Sequence, residues 1–234
     1  MREIVFDTET TGLESKSDRI IEIGGVELLN QFPTGRTFHV FVSPGDRKVH
    51  PDALAVHGLT DEFLRDKPSF SEIVGDLMEF FAGARWVAHN ANFDMGFINA
   101  ELARLEMDPI PQDQVLDTLS LARRKHPMGP NSLDALCRRY GIDNSHRTKH
   151  GALLDSELLA EVYIEMMGGR QAALGLSADR PEDAGKSIVI EEDVVVELSS
   201  RPNALAPRLS PEDLARHQAL QDRLGAKSIW AQYL

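Results

Sequence analysis

Cysteine is almost missing from this chain of 234 residues: Cys137 stands alone. That excludes an internal disulfide and any metal cluster built on several thiolates. Its neighbours Leu133, Ala135 and Leu136 spell an apolar helical face, so the thiol is expected in the core and not as a nucleophile. No apolar run approaches the length of a membrane span, and Met1-Arg2-Glu3-Ile4 enters a strand pattern without the basic and then apolar segment of a leader. A soluble, cytoplasmic protein with no membrane partner is expected. Positive charge is scarce too: 25 Lys and Arg face 37 Asp and Glu, a formal net charge of −12. This is the wrong sign for gripping phosphates unaided. A nucleic-acid role therefore requires bound cations at an acidic site, or a tether to a DNA-bound partner that raises effective concentration.

What is present begins with the run Ile4-Val5-Phe6-Asp7-Thr8-Glu9-Thr10-Thr11-Gly12. Side chains alternate along a strand, so Asp7 and Glu9 project on one side just where the apolar run gives out, and Thr10-Thr11-Gly12 predicts a turn. Two carboxylates there repel each other, and a hard divalent cation with oxygen ligands relieves the repulsion. Alone, an Asp-x-Glu pair is more often the solvated face of a strand.

The length and a hydrophobic fraction of 42% suit one globular domain plus an appendage, or two small domains. Residues 19–29 and 37–42 predict two more strands, joined through a connector over 30–35 that contains Pro33 and Gly35. Ser69 and Glu72 form a capping box ahead of a helix over 70–81. A strand over 85–90, a helix over 93–107, a strand over 114–118, helices from 118 to 140 with a break at 127–130, and a helix over 152–167 follow. Strands first, then strands alternating with helices, predict an α/β domain with a mixed five-stranded sheet flanked by helices. Its boundary is expected at 168. Residues 169–187 have linker composition, and 188–234 form a C-terminal segment with a helix opening at Ser210-Pro211. No internal repeat is present.

Two further clusters share the chemistry of the first. His89-Asn90-Ala91-Asn92-Phe93-Asp94 places a carboxylate at a strand-to-helix junction, where ligand sites of α/β sheets gather. His150-Gly151-Ala152-Leu153-Leu154-Asp155 sets a histidine just before a helix and an acid in its first turns. Taken singly, Asn90 reads equally as a helix cap, Asp94 as an acid favoured by the helix dipole, and His150 as a surface histidine.

Jointly, Asp-x-Glu, Asn-x-x-Phe-Asp and His-x-x-x-x-Asp resemble the three motifs of the DEDDh family of 3′ to 5′ exonucleases, and within it most resemble the proofreading members that serve bacterial replicative polymerases. The resemblance covers residues 1 to about 168 and implies a ribonuclease H-like fold. It implies that Asp7, Glu9, Asp94 and Asp155 hold two Mg²⁺ or Mn²⁺ ions and that His150 is the general base. It also sets Val56-His57-Gly58-Leu59-Thr60 beside the terminal nucleotide of a single-stranded or frayed DNA 3′ end, with Thr10, Val56, His57 and Phe93 as candidate substrate contacts. Two-metal chemistry suits such a hydrolysis, since one ion can activate water and the other stabilise the departing oxygen. Arg123, Arg124, Lys125, Arg138, Arg139, Arg147 and Lys149 are expected to guide the strand.

The tail points to partners. Gln171, Leu174 and Leu176 resemble a short motif that docks on a sliding clamp, and 209–234 resembles the part of these proteins that anchors to the polymerase alpha subunit. Leu214, Leu220 and Leu224 would lie on one side of a helix, followed by Trp230 as an interface anchor. A small third subunit is a further possible partner of the catalytic domain. The same motifs would serve a stand-alone exonuclease acting on RNA ends, and a non-catalytic bridge between clamp and polymerase would need only the tail.

Overall fold

Strand β1 (Arg2–Thr10) is the middle of a five-stranded sheet of order β3-β2-β1-β4-β5. The computed structural model describes residues 1–147, 149–169, 212, 215, 216 and 218–220. β1 pairs antiparallel with β2 (Ile20–Leu29) and parallel with β4 (Arg85–Ala88). β3 (Phe32–Phe41) extends one edge and β5 (Val115–Asp117) the other. The helices are α1 (Pro51–His57), α2 (Asp61–Leu64), α3 (Phe70–Phe81), α4 (Ala91–Arg104), α5 (Thr118–Lys125), α6 (Leu133–Tyr140) and α7 (Ala152–Met166).

Period-two alternation sorts β1 between two cores. Ile4 and Phe6 join Phe70, Leu77, Phe81, Trp86, Phe97 and Ile98 under α3 and α4. Val5 joins Val87, Leu159 and Tyr163 under α7. Phe6 stands edge-on to Phe81 and Trp86, at centroid separations of 5.5 and 5.4 Å, and each such pair adds about 0.5–1.5 kcal/mol beyond the area it buries. Asp7 and Glu9 continue the odd register, which aims them at the α7 side. Cys137 is fully buried, as expected.

Two local readings change. The β2–β3 turn is Asn30-Gln31 alone, both residues left-handed at φ 52° and 68°, the conformation that suits the twist of a two-residue hairpin. Pro33 and Gly35 therefore lie inside β3. An edge strand tolerates Pro33 because the absent N–H need not serve a second ladder. The other change is at Thr10, which ends β1 instead of opening a turn.

α7 owes its seat to Gly24, the partner of Asp7 across the β1–β2 ladder. A Cβ on Gly24 would stand 2.2 Å from the backbone of Ala152 and Leu153. The buried Ser156 hydroxyl donates to the Gly24 carbonyl at 3.0 Å. Without a side chain at 24, the first turn of α7 rests directly on the strand beside Asp7.

Farther along the chain, residues 212, 215, 216 and 218–220 are helical, as the Ser210-Pro211 signal predicts, and Arg216 pairs with Glu212 at 2.8 Å. Leu220 is exposed. Gln171, Leu174, Leu176, Leu214, Leu224 and Trp230 lie outside the described residues.

Candidate active site

Three elements bring the four carboxylates to one end of the sheet. β1 supplies Asp7 and Glu9. α4 supplies Asp94 from its first turn, and α7 supplies Asp155 from its own. The helix over 93–107 starts two residues earlier than its sequence suggests, after Asn90 in the left-handed region at φ 64°, ψ 47°. Asn90 occupies the cap position without a side-chain capping bond. Thr8 then fixes Asp94, its amide and hydroxyl donating to Oδ1 at 3.1 and 2.7 Å. His150 approaches ahead of α7, its amide donating to the Val56 carbonyl at 3.3 Å. Among the described residues, Glu9, His150 and Asp155 offer ligand atoms all within 4.8 Å of one another. A cavity of about 290 Å³ is lined by these three together with Asp7, Asp94, Asn90 and Arg147.

The electrostatics suit a cation. Burial pushes Asp7 well above the ordinary carboxyl range, and its neighbours Asp94, Glu9 and Asp155 push the same way. Burial lifts Glu9 to about 8 against the pull of His150. Asp94 rises to about 7 for the same reason, despite the hydrogen bonds from Thr8. Burial acts on Asp155 as well, but hydrogen bonds from His150 and Arg147 outweigh it and hold this acid low. His150 is raised, chiefly by its bond with Asp155. A hard divalent ion would favour ionisation of all four acids at once, and this oxygen-rich donor set fits such an ion.

A neighbouring cavity of about 620 Å³ shares Thr8, Glu9 and Phe93 with the first. Thr10, Val56 and His57 line it. The Thr10 hydroxyl donates to the Gly12 carbonyl at 2.6 Å. Val56 is exposed. Phe93 leans on Phe97 at 5.0 Å while still facing both cavities, so it is a core residue and a wall of the site together. Buried His57 accepts from the Leu59 amide at Nδ1, 2.9 Å away. Its pKa is lowered by burial, which favours the neutral ring.

Three contributors escaped the sequence reading. Asp117, at the end of β5, accepts from the amides of Asn90 and Ala91 at 2.9 and 3.3 Å, and from Leu119 and Ser120 at 3.0 and 3.2 Å. One carboxylate thereby caps α5 and braces the left-handed turn that launches α4. Asp followed by Thr-Leu-Ser signals the cap, but nothing in the chain signals the contact across 26 positions. The second is Arg147, which the sequence places only among the cations expected to guide the strand. Its side chain is only 8% exposed and pairs with Asp155 and with the third newcomer, Asp134. Arg139 stays exposed and donates to Asn131 Oδ1 and the Pro130 carbonyl at 3.2 and 3.1 Å.

Comparison with known proteins agrees with this geometry. Residues 4–163 match the exonuclease family model. The DNA polymerase III subunit epsilon of Escherichia coli strain K12 is 43% identical, over 98% of this chain and 97% of that protein. The subunit of the same name from Rickettsia conorii is 40% identical, over 96% of both chains. Among solved structures, exonuclease X in complex with 5′ overhanging duplex DNA superposes with a TM-score of 0.54 at 29% identity, covering 71% of this chain and 90% of that one. The nuclease domain of 3′hExo, a DEDDh family member bound to rAMP, shares the fold with a TM-score of 0.62 at 16% identity, over 71% and 91%. With a five-stranded mixed sheet that carries its acids at the strand ends, the chain belongs to the exonuclease family and, within it, to the DNA polymerase III epsilon subunits.

Proposed function

We propose that this metal-dependent 3′–5′ exonuclease holds two divalent ions, Mg²⁺ or Mn²⁺, through Asp7, Glu9, Asp94 and Asp155, with His150 as general base, and that it acts on mispaired DNA 3′ ends. The observation that carries this reading is the convergence of four carboxylates and one histidine on a single cavity, beside one of about 620 Å³ that Val56, His57 and Phe93 help to line. When bound, the ions supply Lewis-acid activation of a water and neutralise charge on the phosphate. His150 is half-exposed, within 3.2 Å of Asp155 through Nδ1. That contact orients the ring and leaves Nε2 to take a proton from water. Thr8 steadies Asp94, and Phe93 and Val56 offer apolar walls to a base and sugar, while His57 brings a neutral ring.

Selectivity follows from access. A paired terminus must first lose about 1.4 kcal/mol of stacking per base-pair step to enter a site shaped for one strand, so mismatched ends enter more readily. The acidic chain gains its DNA from partners: the polymerase alpha subunit through Leu214, Leu220, Leu224 and Trp230, a sliding clamp through Gln171, Leu174 and Leu176, and a small third subunit on the catalytic domain. This assignment places the protein in the cytoplasm with the replication machinery. The test is release of nucleoside monophosphates from matched single-stranded DNA and RNA oligomers with Mg²⁺. The Asp7→Ala protein should fold and lose at least about 10²-fold in rate, the scale of removing a preorganised charge at a reacting centre. Wild-type rates from Asp7→Ala would overturn the metal assignment, and preference for RNA would overturn the substrate.

A further inference from the structure

The cation nearest the catalytic carboxylates is the chain's own. Arg147 lies three residues before His150, between α6 and α7. Its guanidinium meets Asp155 as a fork, Nε to Oδ1 at 2.5 Å and Nη2 to Oδ2 at 2.6 Å. Nη1 reaches Oδ1 of Asp134 at 2.9 Å, and Nη2 stands 2.7 Å from His150 Nδ1. Both oxygens of a carboxylate assigned to metal thus already face a fixed positive charge.

Two consequences follow from donor chemistry and Coulomb's law. A guanidinium and a divalent ion on the same carboxylate repel each other, so they are rivals for Asp155. The second consequence concerns the ring. A guanidinium only donates, so its contact requires Nδ1 of His150 to accept and sets the ring proton on Nε2. Asp155 Oδ2, 3.2 Å from the same Nδ1, requires Nδ1 to donate, which leaves Nε2 free to act as a base. Only one of these partners can be satisfied at a time. Asp134 offers Arg147 a second seat: it is half-exposed, sits in the first turn of α6 and is steadied by the Asn144 amide at 2.9 Å.

Resting on the metal reading above, we propose that Arg147 is a positioning residue, the built-in counter-cation of Asp155. It holds Asp155 and His150 together, then withdraws to Asp134 when a divalent ion takes Asp155, releasing His150 Nδ1 to Asp155.

The test uses the full chain without substrate, with Mn²⁺ binding followed by calorimetry or electron paramagnetic resonance and melting followed in EDTA. Arg147→Gln keeps much of the length and removes the charge. It should bind Mn²⁺ roughly tenfold tighter, as expected for losing one like charge close to the ion in a partly solvated site, and should melt lower in EDTA. Loss of a merely structural residue would weaken metal binding, so the direction is decisive. Arg147→Lys, a charge without the fork, should fall between the two, and Arg65→Gln, at an exposed position, should match the parent. Unchanged or weaker Mn²⁺ binding by folded Arg147→Gln would overturn the proposal; if that variant does not fold, parent-like affinity in Arg147→Lys would do so. Asp7→Asn and Asp155→Asn separate the two readings. If they bind Mn²⁺ like the parent, or the parent binds none, the metal assignment fails and this proposal with it. If they lose Mn²⁺ while Arg147→Gln gains nothing, only the rivalry fails.

Discussion

His150 can be exchanged with little structural consequence, because its side chain is half-exposed and its backbone amide makes the link to Val56. His150→Ala should lower hydrolysis about 10²–10⁴-fold, the usual share of a general base, with the fold retained by circular dichroism. The acids predict a pH dependence. Glu9 near 8 and Asp94 near 7 bind protons more tightly folded than unfolded, and Asp7 and His150 are displaced upward as well. Groups with raised folded-state pKa stabilise the fold below their unfolded values and lose that contribution as pH climbs through the folded ones. Melting in EDTA should therefore weaken between about pH 5 and 8, and the stabilisation gained from added Mg²⁺ or Mn²⁺ should grow over the same interval. A metal-induced shift independent of pH would contradict these assignments. The sequence yielded all five groups, because each sits in a short motif at a strand or helix end. It did not reveal the pairing of Arg147 with Asp155 and Asp134, because whether a cation faces solvent or a buried acid is decided by neighbours eight and thirteen positions away.

At the scale of elements, the site depends on how closely α7 approaches β2. Gly24→Ala would drive a methyl into the α7 backbone, and a displacement of the helix by about 1 Å can cost about 10²-fold in rate. Activity should fall by that order while circular dichroism stays close to the parent's. Gly75→Ala is the contrast, since nothing lies within 4 Å of the added carbon on α3; it should stabilise by about 0.5–1 kcal/mol in a denaturant titration. Asp117→Ala strips four amides of their acceptor and should raise KM and lower stability together. Strands and helices were legible from alternation and capping signals, as at Ser69 and Glu72, whose carboxylate takes the Ser69 amide at 2.7 Å. The two-residue turn at Asn30-Gln31 was hidden by Pro33 and Gly35, which read as loop residues until an edge strand made room for them.

Over the whole molecule, the proposed tethering would reconcile a net charge of −12 with action on DNA. Deleting residues 180–234 should preserve hydrolysis of single-stranded DNA and abolish co-purification with the polymerase; retained association would place the anchor elsewhere. The sequence by itself picked out the acids and the histidine that line one cavity and predicted a mixed sheet with helices, because residue type, period and capping are local properties of a chain. Only the tertiary structure decided that Gly24 seats α7, that Asp117 braces the turn at Asn90, and that Arg147 faces Asp155. Those are contacts between segments distant in sequence or turns of a side chain toward a buried acid, and packing and desolvation settle them only once the sheet and its helices close around the site.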